Sequence, residues 1–96
     1  MLEKKSAKPT FTQAGVASWY RGKTLAGAAH RHLPFGTQVR VTNLANHRTA
    51  IVKINDRGPF IKGRIIDVSK DTARELAMVN AGTAKVRIEV LPQPQS

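Results

Sequence analysis

Six acids stand against sixteen Lys and Arg in this 96-residue chain, so any carboxylate set beside a base at a strand end is a candidate for chemistry. The clearest case is Asn55-Asp56-Arg57-Gly58-Pro59. An alternating run, Val52-Lys53-Ile54, ends there and Gly-Pro turns the chain. Asp56 can serve as a general acid, a general base or a turn-former. Ile54 and Phe60 would raise its pKa by desolvation, whereas a paired Arg57 would lower it. His30, in Ala28-Ala29-His30-Arg31-His32, has small neighbours that leave its ring reachable, and it reads either as a functional or as a structural histidine. The turn Leu33-Pro34-Phe35-Gly36 after it is expected to be type I, with Pro second and Gly fourth. His30 and His32 lack an evident third ligand, so no metal is expected. Asp67, just ahead of a helix, reads first as a helix-entry hydrogen bonder. Of the adjacent pair Trp19 and Tyr20, alternation buries one ring and exposes the other, and an exposed ring can stack on a sugar or a base.

The elements that must position these residues are mostly strands. Residues 16–20, 38–42, 50–54, 64–68 and 85–90 are β-prone, most with clear alternation. Residues 43–48 read as a hairpin connection, with Asn46 and His47 tolerant of positive φ. One short helix starts at the N-cap Ser69, shows Ala73, Leu76 and Ala77 on its apolar face and is expected to end at Asn80-Ala81-Gly82. Val39-Arg40-Val41-Thr42-Asn43 echoes Val52-Lys53-Ile54-Asn55-Asp56. Either half-buried strands simply look alike, or the chain is a small closed barrel with pseudo-twofold symmetry. Residues 1–14 read as a flexible arm, 15–91 as the folded domain and 92–96 as a tail.

Composition narrows the function. The chain has no cysteine, which removes disulfide and thiol chemistry. It lacks an apolar run of the roughly 18 residues that span a bilayer, and no export signal is visible at its start. A net charge of +10 suits an anionic polymer: nucleic acid, a membrane surface or cell wall.

Five segments in order carry a family resemblance: residues 15–20, 28–37, 41–46, Asn55-Asp56-Arg57-Gly58-Pro59-Phe60, and 63–69. Together they resemble the rare lipoprotein A (RlpA-like) family of bacterial envelope proteins. The resemblance implies an all-β fold, a six-stranded double-psi β-barrel with one short α-helix. It implies peptidoglycan glycan strands lacking stem peptides as partner, lytic transglycosylation as activity, and the periplasm or cell envelope as location, with peripheral envelope association. No cofactor and no nucleic acid are expected. The family's catalytic aspartate maps onto Asp56 and its important histidine onto His30; Asn55, Arg57, Trp19, Tyr20 and Asp67 are expected to bind substrate. Such an enzyme uses the sugar's own 6-hydroxyl, so one carboxyl can protonate the leaving oxygen and then accept the hydroxyl proton. Arg57 is expected to pair with the lactyl carboxylate of a stripped muramyl sugar. Relatives carry a Thr-Ala-Ser-Gly-Glu segment and about ten more residues before Ala-Ala-His, whereas here Lys23-Thr24-Leu25-Ala26-Gly27 runs straight into Ala28, and no acid lies between Glu3 and Asp56. A non-catalytic, expansin-like glycan binder is therefore the alternative, with a nucleic-acid- or protein-binding barrel behind it.

Overall fold

A computed structural model describes residues 11–20 and 27–92. Six strands and one helix follow in order: β1 (Thr12–Trp19), β2 (Ala28–Ala29), β3 (Gln38–Asn43), β4 (Thr49–Asp56), β5 (Arg64–Val68), α1 (Lys70–Glu75) and β6 (Thr83–Val90). They close into a barrel in the order β1-β5-β2-β4-β3-β6. Closure pairs every strand on both sides and leaves no open edge. Two neighbours run parallel, β1 with β5 and β2 with β4; the other four pairings are antiparallel. This is the six-stranded double-psi barrel with one short helix. β1 begins at Thr12, inside the span read as an arm; Thr12 to Gly15 are held by pairing with Glu89 to Val86 on β6.

Strict alternation makes the interior. Val39 and Val41 on β3, Val52 and Ile54 on β4, and Val86 and Ile88 on β6 all face inward. β2 has no such pattern. It is only Ala28-Ala29, made a strand by its neighbours: it lies parallel to β4 and antiparallel to β5, and both alanines are buried. Small side chains fit where strands crowd, a need that β propensity does not register.

α1 plugs the barrel with Ala73 and Leu76, joined by Met78 beyond its end. Ser69 caps it, its hydroxyl accepting from Thr72 N–H. The helix stops at Leu76, earlier than Asn80-Ala81-Gly82. Ala77 takes a left-handed φ of 56°, Ala77 N–H donates to Arg74 O at 3.0 Å, and Met78 N–H to Ala73 O at 2.9 Å. These two bonds form a Schellman motif built on alanine instead of glycine. Ala77 is exposed and does not join the apolar face. The β3–β4 connection completes the cap: Asn43 and Asn46 donate Nδ2 to Leu76 O, and Arg48 donates Nε to Glu75 O. His47, within that connection, has a φ of 65°.

Candidate active site

β4 delivers Asp56 to the surface at its C-terminal end. The side chain is exposed, and its Oδ1 accepts the Arg57 backbone N–H at 2.8 Å. Gly58 and Pro59 then dip inward, and Phe60 returns to solvent at 77% exposure. The acid is thus held at the lip of the barrel.

Arg57 does not pair with Asp56 through its guanidinium. Nη1 donates to the carbonyls of His30 and Leu33, at 3.0 and 2.7 Å, and the group stacks 4.3 Å from the centre of the Phe35 ring. It clamps the chain between β2 and β3. The turn in that stretch is displaced by one residue from its expected place. Thr37 N–H donates to Pro34 O and Gly36 has a φ of 95°, so glycine occupies the third position, where a positive φ is required.

His30 is buried, only 4% exposed, not reachable. Its Nδ1 accepts the backbone N–H of His32 and of Leu33, both at 3.1 Å. The ring proton therefore sits on Nε2, which donates to Gln13 Oε1 on β1 at 3.0 Å. Burial, followed by the charges of His32, Arg31 and Arg57, holds His30 below the ordinary imidazole pKa. The backbone links the two sequence-predicted residues, since His30 N–H donates to Asp56 O at 3.1 Å. The imidazole shapes the loop that Arg57 grips. Among the described residues, no cluster of three His, Cys, Asp or Glu could hold a metal.

Asp67 stands on β5, on the far side of β2. Ala29 pairs with Asp56 across one side of β2 and with Asp67 across the other. Asp67 does not open the helix, because Ser69 performs that task. Its Oδ1 instead accepts a hydrogen bond from the Ser18 hydroxyl, on the neighbouring strand β1. Tyr20 and Trp19 are both half-buried, where alternation had separated them. The Tyr20 hydroxyl lies 3.5 Å from Gly27 O. Burial, then the charges of Asp56 and Asp67, raises the phenol pKa. Trp19 packs on the core, donates Nε1 to Val79 O at 3.3 Å and lies beneath Lys70. Asn55 is exposed, and its side chain covers Gly27 so closely that a Cβ there would collide with it.

The structure thus gathers Asp56, Asp67 and Tyr20, places Arg57 and His30 as supports, and sets Trp19 against the core. Sequence reasoning missed Ser18, Gln13 and Phe35. Phe60, expected to desolvate Asp56, is instead turned out to solvent.

A family profile described as lytic transglycolase matches residues 12–88, most of the chain and all of the barrel up to Ile88. The chain belongs to the lytic transglycolase family. Among relatives of this family member, a probable endolytic peptidoglycan transglycosylase RlpA of a Nostoc species is 53% identical, over 80% of this chain and 25% of its own length. The endolytic peptidoglycan transglycosylase RlpA of Neisseria meningitidis is 50% identical, over 90% of this chain and 42% of its own. The chain therefore spans less than half the length of these relatives. Their alignments run to 93 and 100 positions, more than 80% and 90% of a 96-residue chain can fill. The relatives carry residues with no counterpart here, in keeping with the short run before Ala28. Two solved structures share the fold at low identity. An expansin of Clavibacter michiganensis has a TM-score of 0.69 at 22% identity, over 90% of this chain and 53% of that one. A Streptomyces papain inhibitor has a TM-score of 0.68 at 18% identity, over 91% of this chain and all of the other.

Proposed function

We propose that this domain acts on peptidoglycan in the bacterial cell envelope, as an RlpA-like endolytic lytic transglycosylase for strands without stem peptides. The observation that carries the reading is Asp56: an exposed carboxyl at the barrel lip, free of any ion pair within the described residues, while the adjacent Arg57 is committed to the loop. In its acid form it protonates the oxygen between two sugars. The muramyl 6-hydroxyl then closes on C1, leaving a 1,6-anhydro end, and the Asp56 carboxylate can take up the hydroxyl proton. His30 and Arg57 hold the loop around the acid; Asn55, Tyr20 and Asp67 border the bound sugar. The exposed rings of Phe60 and Phe35 offer faces for stacking. With Arg57 Nη1 occupied by two carbonyls, the lactyl carboxylate of the substrate is left to the guanidinium's remaining N–H groups and to the basic surface.

The test is to incubate stripped glycan strands with the parent protein and with Asp56→Asn, and to look for 1,6-anhydro ends by mass spectrometry. Product from the parent alone supports the reading. Binding without product favours the second reading, a glycan-binding barrel that does not cut. The alignment positions missing from this chain are the observation in its favour.

A further inference from the structure

We propose that Asp67 is a second catalytic carboxylate of this site, the base that accepts the 6-hydroxyl proton while Asp56 delivers its own to the leaving oxygen. The proposal rests on the transglycosylase reading above and assigns its two proton transfers to different groups. Three observations place Asp67 there. Ala29 is its register partner and also that of Asp56, so one two-residue strand separates the acids. Neighbouring strands lie about 4.8 Å apart, which sets the two Cα positions about 10 Å from one another and leaves room for a sugar between the carboxyls. Next, Asp67 is not needed to open α1, which Ser69 caps, and within the described residues no Lys or Arg forms an ion pair with it. Finally, the Ser18 hydroxyl holds Oδ1 and leaves Oδ2 without a described partner, a fixed acceptor at a half-buried position. The charges of both acids reach the Tyr20 phenol, in agreement with a shared cleft.

The steps balance. The bond from C1 to the bridging oxygen breaks with its electron pair on that oxygen, which takes the Asp56 proton. The 6-oxygen bonds to C1, and its proton passes to Asp67 Oδ2. Asp56 leaves as a carboxylate and Asp67 as an acid, and exchange with solvent restores both. A single carboxyl must otherwise move from one oxygen to the other within one turnover.

Leaving-group dependence separates the roles. The parent, Asp56→Asn and Asp67→Asn are assayed on stripped glycan strands and on a short muramyl glycan with a 4-nitrophenolate leaving group, which departs without protonation. Asp67→Asn is expected to lower kcat by about 10²–10⁴-fold on both substrates with KM little changed. Asp56→Asn is expected to fail on strands and recover on the aryl substrate. Asparagine still accepts from Ser18, which preserves the local fold; Ser18→Ala provides a second variant, with a smaller loss on both substrates. The proposal is overturned if Asp67→Asn cleaves strands within about threefold of the parent, or if the aryl substrate rescues it as it does Asp56→Asn. A parent inactive on both substrates removes the transglycosylase reading itself, and the proposal with it.

Discussion

At the scale of single residues, His30 shows how a signature residue can act by holding others. Both its ring nitrogens are engaged, one by backbone N–H groups and the other by Gln13. Protonation would add a proton to Nδ1, where two donors already point. Its pKa is lowered in the fold, so the unfolded chain binds the proton more readily. Stability is then fully present above the unfolded value of about 6.5 and declines as pH falls from there toward the lower folded value. Urea midpoints measured from pH 8 to pH 5 are expected to fall more for the parent than for His30→Gln, whose pH dependence lacks this contribution. Arg57 allows an equally local test. Lysine keeps the charge but loses the planar fork and the stacking on Phe35. Arg57→Lys is expected to cost about 1–2 kcal/mol in denaturant unfolding and to reduce cleavage through disorder of the 30–33 loop. The place of Asp56 at a strand end before a turn was legible in the residues themselves. The burial of His30 and the parts of Ser18 and Gln13 were not, because each is set by partners on strands far apart in the chain.

At the scale of elements, alternation located β3, β4 and β6, while β5 was marked by its β-branched run, with Ile65 and Ile66 buried on opposite faces. β2 escaped it: two alanines form a strand only where two other strands supply the ladder. The start of α1 was legible in Ser69, whose cap is a local matter. Its end was not, since glycine at residue 82 is a stronger stop signal than alanine at residue 77. The chain nevertheless turns at Ala77, where Asn43, Asn46 and Arg48 donate to the last carbonyls. Alanine in the left-handed region carries a steric cost that glycine avoids. Ala77→Gly is expected to stabilise the domain by about 0.5–1 kcal/mol, read as a rise in thermal midpoint with cleavage unchanged.

For the whole molecule, charge governs what the barrel meets. With a net charge of +10, binding to strands that carry free lactyl carboxylates is expected to weaken steadily as salt rises, since screening shortens to about 8 Å near physiological ionic strength. Affinities between about 50 and about 500 mM salt, over which that length falls about threefold, check this; an affinity independent of salt would assign the contact to stacking on Phe35 and Phe60. The closed order of the strands was beyond the reach of periodicity, which tells a half-buried strand from a helix but is silent on its neighbours. That order has a practical side. The two acids owe their separation to the hydrogen-bond ladder on either side of Ala29, not to the length of any connection. A grafter could therefore replace the stretch between Tyr20 and Gly27 with longer ones borrowed from relatives and alter what the barrel recognises, while the distance between its acids stays where the ladder puts it.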